Sequence, residues 1–236
     1  MHEHSFIPSD KYKDYEICTG CGSYHSTALA PLDEVYVDNP YWGENSGRST
    51  WEQQQSNISC IDECGISKID RVLQFVPKRG RLALEIAASP GVMINRLLDR
   101  NFDVYAIEPK PEYCTLLAQQ SPEAKIICGY FPEVSAPSQP HLFDCIVAMD
   151  IMEHTPSYDD FFNEVHRLLI DGGTAIVMSP IILDGDGFLR ARDMQHPNEH
   201  AWILTQKFLE PYLKEKFSSV EFKSWIVGHE IVILKK

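Results

Sequence analysis

From residue 81 onward the chain alternates short apolar runs with amphipathic ones, and that alternation admits few folds. "RLALEIA" (81–87) is a nearly continuous apolar run, as expected of a strand buried on both faces. "VMINRLLDR" (92–100) follows with helical spacing. "DVYAIEP" is a second strand stopped by Pro109, and "PEYCTLLAQQ" a second helix with Pro111 near its start. "AKIICGY" and "FDCIVAMD" read as the third and fourth strands, "YDDFFNEVHRLLI" as a helix, and "GTAIVMSP" as a fifth strand set off by Asp171-Gly-Gly. After a loop of about twenty residues come the helix "TQKFLEPYLKEKF" and two terminal strands, "SVEFKSWIV" and "HEIVILKK". The expectation is an α/β, doubly wound, mostly parallel seven-stranded sheet with helices on both faces and the last strand antiparallel.

Residues 66–76 place Ile66, Ile69, Val72, Leu73 and Val76 at helical spacing, with Pro77 as the stop. Everything before them is polar, turn-rich and aromatic. The reading is therefore an irregular N-terminal appendage over 1–65, a candidate lid, and a main domain over 66–236. Aspartate and glutamate outnumber lysine and arginine by 34 to 21, for a net charge of −13, and no basic run occurs. That argues against nucleic acid and anionic membranes as partners and leaves small molecules. No apolar run approaches the ~18 residues that span a bilayer, and "MHEHSF" lacks the features of a signal peptide. A cytoplasmic location is expected; the sequence does not set the oligomeric state. Seven cysteines, mostly scattered singly, read as reduced thiols rather than a disulfide framework.

Open parallel sheets bind ligands at the carboxyl ends of their strands, where the strand order reverses. The candidate crevice is therefore formed by Glu85–Gly91, Glu108-Pro109 and Asp150–His154. "LEIAASPG" (84–91) turns from strand to helix, the arrangement that suits an anionic or polar ligand. Ala87 and Ser89 stand where a glycine-rich loop would have glycine. Glu108 ends the second strand seventeen residues after Gly91, placed to accept hydrogen bonds from a ribose diol.

The segment from Phe143 to Pro180 carries Phe143-Asp144 before an apolar strand, the pair Glu153-His154, a helix ending in Arg167-Leu168-Leu169, and Gly172-Gly173 before the next strand. Together these resemble the second half of a class I S-adenosylmethionine-dependent methyltransferase, a Rossmann-like fold, and the resemblance covers roughly residues 70–236. It implies S-adenosyl-L-methionine as cofactor and methyl transfer to a small-molecule acceptor at O or N, such as a sugar, natural-product or cell-envelope precursor. The alternative is a non-catalytic methyltransferase-like protein that binds a ligand or partner, for which the altered loop is the only support.

By the same resemblance, Ala87, Ala88, Ser89 and Gly91 lie along the methionine part of the cofactor. Glu85 orients its ammonium, Glu108 and Pro109 sit at the ribose, and Gly129 and Tyr130 flank the adenine. Asp150, Ile151 and Met152 wall the sulfonium side. His154, His196 and His200 are the candidate bases, since imidazole titrates near neutrality. Arg190 and Arg192, in a loop too long to be an idle connector, are candidate contacts for a carboxylate or phosphate on the acceptor, and Tyr41 and Trp42 lie in an aromatic segment expected to close over the cofactor or acceptor. Cys18-x-x-Cys21 resembles the second half of a zinc ribbon. His25 or the distant Cys60 and Cys64 could supply further ligands; no cysteine precedes the pair and only His2 and His4 lie upstream, so the expectation is a turn without metal.

Overall fold

The computed structural model describes residues 3–36, 65–134, 142–183, 196–224 and 230–236. Its main sheet contains β4 (Leu82–Ile86), β5 (Asp103–Glu108), β6 (Lys125–Cys128), β7 (Phe143–Met149), β8 (Leu169–Ser179), β11 (Ser219–Lys223) and β12 (Glu230–Lys235). The order is β11-β12-β8-β7-β4-β5-β6. β12 runs antiparallel to both its neighbours, while the β4–β5, β4–β7, β5–β6 and β7–β8 pairs are parallel. The expected sheet is present with its expected last strand.

Alternation along each strand explains why both faces are covered. On one face Leu84, Ile146, Ala175, Val177 and Val232 pack against α5 (Tyr158–Leu168) and α6 (Gln206–Lys214) through Phe161, Phe162 and Phe208. On the other, Ala83, Cys145, Val147, Ile176 and Ile231 meet α2 (Lys68–Leu73), α3 (Val92–Leu98) and α4 (Pro111–Gln120) through Val72, Ile94 and Leu117. Period-two runs buried on both faces are what a doubly wound sheet requires.

The motifs hold this frame in identifiable ways. Asp144 accepts hydrogen bonds from the backbone N–H groups of Arg81 (3.0 Å) and Leu82 (2.9 Å), fixing the start of β4 against β7. Gly172-Gly173 lies in an irregularity of β8, where pairing shifts from Phe143↔Leu169 to Cys145↔Thr174. A Cβ on Gly173 would stand 2.9 Å from the Ile170 carbonyl, so glycine lets the strand bulge there.

A second sheet, in the order β1-β2-β3-β10-β9, escaped the sequence reading. β1 (Phe6–Pro8), β2 (Tyr15–Cys18) and β3 (Tyr24–Ser26) form an antiparallel meander. β3 then pairs with β10 (Trp202–Thr205), and β10 pairs in parallel with β9 (Ile181–Ile182), inside what the sequence presents as a long loop. The short helix α1 (Leu32–Tyr36) follows β3. Thr205 sits at the junction: its hydroxyl donates to the Cys21 carbonyl (3.0 Å) and accepts from the Phe208 N–H (3.2 Å), capping α6. Thr205→Ala removes a cap and a buried hydrogen bond, for an expected loss of about 2 kcal/mol in urea denaturation; a loss below about 0.5 kcal/mol would show that the junction contributes little.

One expectation is corrected. Cys114 on α4 and Cys128 at the end of β6 are joined as a disulfide, with their Cα atoms 5.9 Å apart. The crossover from helix to strand brings together residues that lie fourteen apart in sequence, which spacing alone does not reveal. Cys18, Cys21 and Cys145 are buried thiols. No helix among the described residues is long and apolar enough to cross a membrane.

Candidate active site

The strand order reverses between β4 and its neighbours β5 and β7, so a crevice opens at their carboxyl ends. It encloses about 350 Å³, counting the part open to solvent. Ile86 and Ala87 line it from β4, and Ile107 and Pro109 from β5. Gly129 and Tyr130 follow β6, and Ile151 and His154 follow β7. Leu32 of the appendage closes one side, and next to it the Tyr130 hydroxyl donates to Asp33 (2.9 Å). Leu32 carries no local motif that marks α1 as the part of the appendage reaching this crevice.

The substituted loop keeps a glycine-like backbone. Ala87 has φ +59°, in the left-handed region, and Gly91 has φ +81°. The Ala88 N–H donates to the Ile107 carbonyl (3.1 Å) and the Gly91 N–H to the Ala88 carbonyl (2.7 Å), closing the turn that leads into α3. A Cβ on Gly91 would lie 2.7 Å from Cδ2 of Leu117. Alanine tolerates φ > 0 at a cost of about 1 kcal/mol, while a β-branched residue there is a true outlier. Ala87→Gly should therefore leave stability within about 1 kcal/mol of the parent, and Ala87→Val should cost about 2 kcal/mol. Equal stability of the two in thermal denaturation would contradict the left-handed geometry.

Two buried carboxylates stand behind this loop. Glu108 accepts from the N–H groups of Ser89 (3.1 Å) and Lys110 (3.0 Å). Burial raises its pKa to about 7, opposed by those two hydrogen bonds and by the Lys110 charge. Burial and the neighbouring Glu108 push Glu85 well above the ordinary carboxylate range. Oε2 of Glu85 is buried with no hydrogen-bond partner among the described residues. A pair of acids held like this favours a cation between or beside them.

Opposite the loop, three histidines converge. The ring centroids of His154 and His200 are 4.7 Å apart, and those of His196 and His200 5.6 Å. Nδ1 of His154 lies 3.1 Å from the Glu199 carbonyl. A carbonyl only accepts, so Nδ1 carries the proton and Nε2 the lone pair of the neutral ring. Burial, followed by His200, drives the His154 pKa well below its ordinary value, and Asp150 opposes this only in part. Glu153 is buried and accepts from the Ser179 hydroxyl (2.8 Å).

Other expected site residues fall in different places. Asp150 has φ +53° and forms an ion pair with Lys68, a residue the sequence did not single out. Ile151 lines the crevice, but Met152 is fully buried in the core, and Ala88 is buried beneath the loop. Tyr41, Trp42, Arg190 and Arg192 lie outside the described residues. Among the described residues, two groups of side chains place metal-ligating atoms within 4.8 Å of one another: Glu153, His154 and His200, and, in the N-terminal sheet, His4, Cys18 and Cys21.

Residues 84–177 match the family model described as a methyltransferase domain. The chain is 26% identical over 156 residues to an uncharacterized methyltransferase of Geobacillus kaustophilus, covering 64% of this chain and 68% of that one. It is 27% identical over 122 residues to one of Exiguobacterium sibiricum, covering 52% of this chain and 50% of the relative. Among solved structures it resembles Haemonchus contortus phosphoethanolamine N-methyltransferase 2 in complex with S-adenosyl-L-methionine. That match has a TM-score of 0.63 at 15% identity and covers 85% of this chain and 47% of the nematode one. The chain thus spans about half the length of the second relative and of the nematode protein. The sheet order, the acids behind the first turn, the Glu-His pair after β7 and these matches agree: residues 84–177 are a methyltransferase domain of the S-adenosylmethionine-dependent kind.

Proposed function

We propose that the chain transfers a methyl group from S-adenosylmethionine to an oxygen or nitrogen of a small-molecule acceptor, with His154 as the base. The observation that carries this reading is His154 on the wall of the crevice that Ala87 and Gly129 also line, with Nδ1 donating to the Glu199 carbonyl and Nε2 3.9 Å from Oε1 of Glu153.

The residues present fit the cofactor. The buried Oε2 of Glu85 suits its ammonium group, and the carboxylate of Glu108 suits its ribose diol. The left-handed backbone at Ala87 lets the turn approach closely despite the missing glycine. When bound, S-adenosylmethionine supplies an activated methyl group on a cationic sulfur, so the protein's tasks are alignment and exclusion of water. Leu32 and Phe131 give the crevice apolar walls. His154 accepts the acceptor's proton at Nε2, and His200 and His196 border the same space. The net charge of −13 and the absence of a basic run support a small acceptor over nucleic acid.

The test is release of S-adenosylhomocysteine from S-adenosylmethionine across a panel of small alcohols, sugars, amines and carboxylates. Acceptor-dependent release with at least one of these classes is expected. Cofactor binding with no release from any class would favour the non-catalytic alternative. Release only with protein or RNA added would overturn the small-molecule assignment.

A further inference from the structure

The N-terminal sheet holds a cluster that methyl transfer does not use. β2 ends at Cys18, and the chain reverses through Thr19-Gly20-Cys21-Gly22 into β3. Gly22 takes φ +80° and its N–H donates to the Cys18 carbonyl (2.8 Å), while the Cys18 N–H donates to the Ser23 carbonyl (2.8 Å). This tight turn presents both thiols to one side. The Thr19 N–H donates to the Ser5 carbonyl (2.9 Å), which fixes the chain just before β1 and brings His4 to the turn. Nδ1 of His4 lies 3.6 Å from Sγ of Cys21, and the three ligand atoms all fall within 4.8 Å of one another.

We propose that His4, Cys18 and Cys21 bind a zinc ion that clamps the N-terminal strands onto the catalytic fold. Two sulfurs and one imidazole nitrogen form a soft donor set that selects zinc over magnesium or calcium. Zinc bonds to sulfur at about 2.3 Å and to nitrogen at about 2.0 Å, so tetrahedral ligand atoms stand about 3.5 Å apart. Small side-chain rotations reach that spacing from the distances here. The thiols are shielded from solvent, Cys18 at 1% exposure and Cys21 at 7%. The His4 ring is held by Phe208 (4.5 Å between centroids) and by a stacked Phe6 (5.2 Å), so its nitrogen is aimed before any ion arrives. A solvent ligand would complete the tetrahedron on the partly exposed side of His4.

The location gives the ion a task. Beside Cys21, Ser23 and Thr205 join the turn to the start of α6, and Lys207 donates to the Gly20 carbonyl (3.0 Å). From β3 onward the same strands hold the histidine turn. The Ser26 N–H donates to the Ala201 carbonyl (3.0 Å), the Ser26 hydroxyl to the Pro197 carbonyl, and the Ala30 N–H to the Asn198 carbonyl (3.1 Å). That turn carries His196, Glu199 and His200. Zinc would stabilise the folded arrangement because the unfolded chain has no such site.

The experiment uses the full chain, purified under reducing conditions and analysed for metal, then stripped and titrated with cobalt(II). One zinc per chain is expected, together with a thiolate-to-cobalt charge-transfer band and the visible bands of tetrahedral cobalt. The charge-transfer band is lost in Cys18→Ser/Cys21→Ser and weakened in His4→Ala. Chelation lowers the melting temperature and zinc restores it. If the cysteine variants do not fold, the cobalt spectrum of the parent chain decides. Absence of a thiolate band in the parent, its persistence in the double variant, or a Cys18–Cys21 disulfide in the reduced preparation would overturn the proposal. None of these readouts depends on methyl transfer.

Discussion

Glu108→Gln should lower the affinity for S-adenosylmethionine roughly 10²-fold, since hydrogen bonds to a charged group are worth about 1.5–3 kcal/mol each and a ribose diol offers two. Glu108→Ala should lose at least as much, because it also releases the Ser89 N–H that the carboxylate holds at 3.1 Å. Calorimetric titration measures both. The same residue carries a pH signature. In the ligand-free protein its pKa is raised from 4.5 to about 7, chiefly by burial. A carboxyl group with a raised folded-state pKa binds more protons folded than unfolded. Its contribution is therefore fully present below about pH 4.5 and lost as pH rises to about 7, a change on the order of 3 kcal/mol. Glu85 is displaced in the same direction and adds to the slope. His154, which burial keeps neutral, pulls the other way below about pH 6.5, so the test is the difference: relative to the parent, Glu108→Gln should lose the stability in urea that Glu108 contributes near pH 5, and much less near pH 8. Hydroxyl donors favour the ionised form, so cofactor binding near pH 6 should release protons, seen as enthalpies that depend on the buffer. Binding that ignores both the substitution and the buffer would remove Glu108 from the cofactor site.

What the sequence shows and what it conceals follow from the range of the interactions involved. The main sheet was legible because each of its strands is a locally recognisable apolar run and each crossover obeys a general rule of handedness. β1, β3, β9 and β10 were not, because they have two to four residues and their partners are remote, as with His25 opposite Trp202. The same distance hides the role of the appendage: Leu32 reaches the crevice and Ser26 holds the histidine turn, and neither residue has a local signature. His154 was readable from its position after β7, but its contact with the Glu199 carbonyl depends on a turn forty-five residues later. Met152 shows how position along the chain and packing can diverge. Its place in sequence beside Ile151 suggests the cofactor wall, yet the 3₁₀ turn at Met152–His154 rotates it fully into the core. Lys68 carried no motif, and only the packed structure sets it against Asp150.

For His154→Asn the turnover number should fall by 10²–10⁴-fold, with cofactor binding retained, on whichever acceptor the panel identifies. The loss alone would not separate a base from a structural residue, since His154 also anchors the Glu199 carbonyl. The pH profile does. Burial and the nearby His200 keep the His154 ring neutral well below the usual range for histidine, so the acid limb of the parent's rate should lie below about pH 6.5. His200→Ala removes the second-largest cause of that depression, and the acid limb should move to higher pH while the rate on the plateau changes much less. His196 contributes in the same direction but less, so His196→Ala should shift the limb by a smaller amount. A histidine that only held the turn together would give a lower rate with an unmoved profile. A His154→Asn variant that keeps the parent's rate and acid limb would place the base elsewhere, or show that the acceptor loses its proton without one.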